Sequence, residues 1–144
     1  MISRTKPKDF NKKFEVVTCF IQHENTFLLL HRQGHKPQGN TWGVPGGKVH
    51  KDDADNATAL AREIQEEIGV SVEPAKLNYF KSFFVQYPEY DFVYHMHFHK
   101  VKALPKIDLH KEEHKDYRWV TPQEALGMVL IPDEDFCIKE FFDV

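Results

Sequence analysis

Three glutamates fall within the run Arg62-Glu63-Ile64-Gln65-Glu66-Glu67-Ile68-Gly69-Val70, and they are the residues of this chain best suited to chemistry. On a helix, positions four apart share a face, so Glu63 and Glu67 point the same way, and Glu66 neighbours Glu63 at a spacing of three. Like charges that close repel by roughly a few tenths of a kcal/mol per pair, so packing alone gives no reason to gather them. A divalent cation removes the conflict. Hard ions such as Mg²⁺ prefer carboxylate oxygens and often sit between a protein and the phosphates of its substrate. Judged on the helix alone, the competing reading is an amphipathic helix with a solvated acidic face.

The elements that must position these acids are visible around them. Ala57, Leu60, Ala61, Ile64 and Ile68 follow the spacing of a buried helical stripe, and the glutamates largely avoid it, which turns them toward a cleft or solvent. Asp53 or Asp55 can cap the helix start, and Gly69 can take the left-handed conformation that ends it. Ahead of the helix lies a tight turn, Trp42-Gly43-Val44-Pro45-Gly46-Gly47.

Turn and helix together resemble the signature of the Nudix hydrolases, in which a glycine and a glutamate precede Arg-Glu-apolar-any-Glu-Glu-any-Gly-apolar. The second half matches at every fixed position from Arg62 to Val70. In the first half Asp53 or Asp55 stands where the family has glutamate, and the loop to Arg62 is one residue longer. The resemblance covers roughly residues 14 to 131. It implies an α/β fold, a Nudix-type α/β/α sandwich with a mixed central sheet, and hydrolysis of a phosphoanhydride bond. Mg²⁺, with Mn²⁺ as a possible substitute, would be held by Glu63, Glu66 and Glu67 with the Gly46 carbonyl. Glu113 is expected to add a ligand, since Glu113-His114 lies six residues before Trp119 as in many relatives, and Glu112 is the fallback. Glu66 is named as general base, with Glu113 its rival, and Arg62 as the group that orients the carboxylates.

Substrate contacts are expected from Arg32 and Lys48, whose cations suit phosphate oxygens, and from Trp42 and Tyr87. Trp42 fits core packing better than a cleft wall. Tyr87 lies 17 residues past Val70, where diadenosine-polyphosphate hydrolases tend to carry tyrosine. Two other substrate marks of the family are absent. Ile131-Pro132 is followed by Asp133-Glu134 instead of the asparagine of oxidised-guanine enzymes, and Val85-Gln86 lacks the proline of the ADP-ribose branch. The expected reaction is conversion of a nucleoside triphosphate to the monophosphate and pyrophosphate, with diadenosine-polyphosphate hydrolysis as runner-up. A non-catalytic nucleotide sensor or protein-interaction module is the alternative of another class. An isoprenoid diphosphate isomerase would need a cysteine by the cleft, and Cys19 on an early strand is poorly placed.

At 144 residues the chain is one ordinary domain, read as a basic extension over 1–13 and a Nudix domain over 14–144. The basic stretch from Arg4 to Lys13 reads as solvated in preference to a phosphate-binding arm. A net charge of −3 argues against a large nucleic-acid footprint. Two isolated cysteines, no apolar leader and no long apolar run make cytoplasmic the expectation, as a monomer or homodimer with a small-molecule nucleotide substrate. Strands are expected over Phe14–Ile21, Thr26–His31, Leu77–Gln86, Phe92–Ala103 and Tyr117–Val120, with a C-terminal helix over Asp133–Phe142. His95, His97 and His99 alternate on one strand and share a face. They sit too far apart for zinc without ligands from elsewhere, so a polar face lining the cleft is the better reading.

Overall fold

The computed structural model describes all 144 residues. Its centre is a hairpin of β2 (Lys12–His23) and β3 (Thr26–Arg32), turned at Glu24, whose φ of 55° is the left-handed value the tight reversal needs. On its other side β2 runs parallel to β7 (Asp91–Lys100), which pairs antiparallel with β6 (Asn78–Gln86). β8 (His114–Val120) and β4 (Trp42–Gly43) pair with β3, β5 (Gly46–Lys48) pairs with β2, and β1 (Ile2–Ser3) closes the far edge on β6. The sheet is therefore mixed.

Strand alternation sends side chains to two cores. Val17, Cys19 and Ile21 of β2, with Leu28 and Leu30 of β3, pack against Ala59, Leu60, Ile64 and Ile68 of α1 (Asn56–Ile68). Phe20, Phe27 and Leu29 face the opposite way, onto Ala125 of α2 (Pro122–Leu126) and Cys137 and Ile138 of α3 (Glu134–Phe142). Both layers of the expected α/β/α sandwich are thus filled by residues of the same two strands. α2 starts on the expected capping box, with Thr121 and Glu124 bonding each other's backbone N–H. No helix is long and apolar enough to cross a membrane.

Three details depart from expectation. Most of Arg4–Lys13 is exposed as expected, but the start of the N-terminal stretch is anchored: Ile2 and Ser3 pair with Val85 and Phe84, the Met1 ammonium donates to the Gln86 carbonyl at 2.7 Å, and Arg4 meets Glu140 at 2.7 Å. The last strand begins at His114, three residues early. The three histidines do not line the cleft. Phe92 and Tyr94 do, so alternation turns His95, His97 and His99 to the other face. There His95 bonds Glu15 and Ser82, and His97 is buried against the Thr18 carbonyl.

Candidate active site

Two aspartates compete for one role in the sequence, and the fold gives each its own. Asp55 caps α1, its carboxylate accepting the Thr58 N–H at 2.8 Å, and Gly69 closes the helix with φ of 69°. Asp53 accepts two N–H groups of Arg62 at 3.0 and 3.1 Å and the His50 backbone N–H at 2.7 Å. The Arg62 hydrogen bonds hold the Asp53 carboxyl down at about 2. Arg62 then spreads its remaining donors over Glu63 at 2.9 Å, Glu66 at 3.3 Å and the Lys48 carbonyl at 3.2 Å. One guanidinium ties the loop, the end of β5 and two helix carboxylates together.

The glycine turn lies directly against these acids. Gly46 approaches the Val17 carbonyl and Thr18 so closely that a Cβ has no room, and a Cβ on Gly47 would collide with the Glu63 carboxyl. This approach brings the Gly46 N–H onto Glu67 Oε1 at 2.8 Å. Glu67 is consequently buried, with a side chain 6 % exposed, while Glu66 stays 55 % exposed. All three glutamates face a cleft or solvent as expected, but Glu67 does so from a nearly buried position between the two depressions of the site. Burial raises Glu63, and it raises Glu67 well above the ordinary carboxylate range, with the Glu63 and Glu113 charges adding to the second shift.

Glu113 joins the cluster. Ligand atoms of Glu67, Glu113 and His114 lie within 4.8 Å of one another, and Glu63, Glu66, Glu67, His110 and Glu113 border one recess. Glu112 turns away to His35 at 3.4 Å. Several carboxylates gathered around a single guanidinium retain an excess of negative charge, and this donor set fits a divalent metal ion. The His114 imidazole is buried and its Nδ1 has no hydrogen-bond partner; burial lowers its pKa to about 4.

Beside the recess runs a cleft of about 220 Å³, with Glu67 on the border of both. Its walls are aromatic: Phe14 stacks on Phe92 at 5.2 Å, and Tyr87, Tyr90 and Tyr94 complete the wall. Arg32 and Lys48 line the same cleft, Arg32 steadied by the Pro37 carbonyl at 2.7 Å and Lys48 lying 4.3 Å over the Phe14 ring. Tyr87 lines it as well, its hydroxyl 3.4 Å from the Pro132 carbonyl. Trp42 does not. Its ring stacks on His31 at 4.2 Å and packs against the α3-side core, so its expected substrate contact gives way to the packing role.

Sequence reasoning overlooked Glu134. It is 4 % exposed on the cleft lining and accepts the Val44 N–H at 3.1 Å. Burial pushes its carboxyl up to about 7. His110 was overlooked too. Neither carries a local pattern that marks it.

A glycine turn against a glutamate-bearing helix, set on a mixed sheet between helices, defines a Nudix fold, and residues 12–142 match the NUDIX domain family. The chain belongs to the Nudix hydrolases. Among solved structures it is similar to the ORF135 protein of E. coli, at 27 % identity over 92 % of this chain and 90 % of that one, with a TM-score of 0.74. It is similar to the same degree to the MutT protein of Methanosarcina mazei Go1, at 27 % identity over 90 % and 92 % of the two chains and a TM-score of 0.74. An Ap4A hydrolase from C. elegans shares the fold at 19 % identity, 90 % and 96 % coverage and a TM-score of 0.72.

Proposed function

We propose that this protein hydrolyses the phosphoanhydride of a nucleoside di- or triphosphate derivative, releasing a nucleoside monophosphate and pyrophosphate from a triphosphate. One observation carries the reading: an aromatic cleft and a carboxylate recess meet at Glu67. A nucleotide has the same two-part character, a flat apolar base joined to a chain of anions. Aromatic faces stack a base regardless of its edge pattern, while Arg32 and Lys48, which line the same cleft, suit the neutralising and orienting of phosphate oxygens.

The recess fits a divalent ion, Mg²⁺ or Mn²⁺, and one bound there would supply charge neutralisation and a more acidic attacking water. The protein's own contributions are geometric and protolytic. Glu63 and Glu67 are fixed by Arg62 and by the Gly46 N–H, so the carboxylates are preorganised before substrate arrives. Glu66 is the most exposed of the three and is the group assigned to take the proton of the attacking water, with Glu113 across the recess as its rival. Arg62 is the positioning residue. The cleft also carries Tyr87 and Tyr90 side by side, at 5.8 Å between ring centres, so a diadenosine polyphosphate is the second substrate to test. The buried free thiols of Cys19 and Cys137 suit a reducing, cytoplasmic setting.

The test is a panel of ribo- and deoxynucleoside triphosphates, nucleoside diphosphate conjugates and diadenosine polyphosphates, assayed for phosphate and pyrophosphate with and without Mg²⁺. Metal-dependent release of a monophosphate is expected. No release from any member, while a nucleotide still raises the melting temperature, would replace the enzyme reading with a sensor.

A further inference from the structure

His114 is buried beside two carboxylates with one ring nitrogen that the fold leaves unpaired. Its side chain is 7 % exposed, and Nδ1 lacks a hydrogen-bond partner. Glu67 Oε2 lies 3.9 Å from that nitrogen, while Oε1 is committed to the Gly46 N–H at 2.8 Å. Glu113, the residue before His114, joins them: one ligand atom from each of Glu67, Glu113 and His114 lies within 4.8 Å of the other two. A separation of 3.9 Å is too long for a hydrogen bond. It lies within the reach of two donors on one ion, because metal–nitrogen and metal–oxygen bonds of about 2.0–2.2 Å leave ligands roughly 3 Å apart when adjacent and roughly 4 Å apart when opposite. Two carboxylates and one neutral imidazole would also balance a 2+ charge.

We propose that Glu67 Oε2, His114 Nδ1 and a Glu113 carboxylate oxygen form a mixed nitrogen–oxygen site that selects Mn²⁺, Co²⁺ or Zn²⁺ over Mg²⁺. The proposal rests on the acidic recess holding a divalent ion and adds the identity of the donors and the preference that follows. Mg²⁺ is a hard ion that favours an all-oxygen octahedron, whereas imidazole is a good ligand for the later divalent metals. A single nitrogen donor on a buried, pre-positioned ring is enough to shift that preference.

The experiment is a titration of the full-length protein with Mn²⁺ followed by pulsed electron paramagnetic resonance, which reads ¹⁴N coupling from a directly bound imidazole. Nitrogen modulation is expected in the wild type and in His110→Gln, which removes the histidine that borders the recess. Protein grown with ¹⁵N-histidine should replace the ¹⁴N pattern with the ¹⁵N one. His114→Gln should lose the modulation, and its Mn²⁺ affinity should fall about tenfold or more with far less change for Mg²⁺. Bound Mn²⁺ without nitrogen modulation, or modulation that vanishes in His110→Gln, overturns the proposal and leaves the carboxylate metal site standing. Absence of any divalent-ion binding overturns both. Should His114→Gln not fold, the isotope-labelled wild type and His110→Gln decide the matter by themselves.

Discussion

Glu134 links the substrate cleft to the stability of the whole chain. Its carboxyl is 4 % exposed, with one oxygen on the Val44 N–H and the other without a partner, and burial, joined by the Asp135 charge, raises its pKa from 4.5 to about 7. The folded chain therefore keeps a proton that the unfolded chain releases between those two values. Stability is fully present below the unfolded value and is lost as pH rises through the folded one. A displacement of this size corresponds to about 3 kcal/mol when complete, most of which develops between about pH 5 and pH 8.5. Glu134→Gln retains an oxygen for Val44 and removes the titration. The variant should gain on the wild type by about 2–3 kcal/mol across that interval, equivalent to roughly 5–10 °C in melting temperature for a chain of this size. Denaturant unfolding of both proteins at the two pH values measures it. Working with the difference cancels other titrating groups, Glu67 among them, and any fixed cost of burying the amide. Parallel pH profiles for the two proteins would refute the reasoning, because a carboxyl that ionises normally in the fold has no proton to hold.

Other substitutions separate chemistry from folding. Glu67→Gln should reduce metal-dependent turnover by about a hundredfold or more while the melting temperature stays level or rises, since the amide still accepts from Gly46 and carries no buried charge. In the wild type, divalent-ion affinity measured by calorimetry should fall as pH drops through a range above that of ordinary carboxylates, because Glu67 must lose its raised proton before it can serve as a ligand. Gly47→Ala pushes a methyl into the Glu63 carboxyl, so steady-state kinetics should show a loss of about a hundredfold. Thr121→Ala removes the hydroxyl that caps α2 and should cost about 1 kcal/mol in denaturant unfolding, with turnover unchanged.

The parts of the site that were legible in the sequence are those governed by short-range geometry. Glu63, Glu66 and Glu67 share a helix, and the α-helical repeat places them whatever lies around it; the Asp55 and Gly69 caps and the Thr121 capping box are local for the same reason. Legibility stops where burial is decided by a distant segment. Glu67 is enclosed because the Gly46 turn lies 21 residues upstream and arrives close enough to donate a hydrogen bond. Asp53 and Asp55 were interchangeable until the Arg62 fork closed on one and the helix start on the other. Alternation established that His95, His97 and His99 share a face, but which face needs the parallel pairing of β7 with β2. Two paired residues, Ile2 and Ser3, are too few to show any period. Glu134 and His114 go furthest in this direction. Each begins its element, Glu134 at the start of α3 and His114 at the start of β8, where a polar residue reads as a cap or a solvated end, yet long-range packing buries both on the lining of one cleft. A buried polar atom without a partner carries a cost of about 1–3 kcal/mol that packing by itself does not return. Glu134 and His114 both carry such an atom, Glu134 Oε2 and His114 Nδ1, on the lining of the cleft, so their placement calls for a functional explanation that their local sequence does not supply.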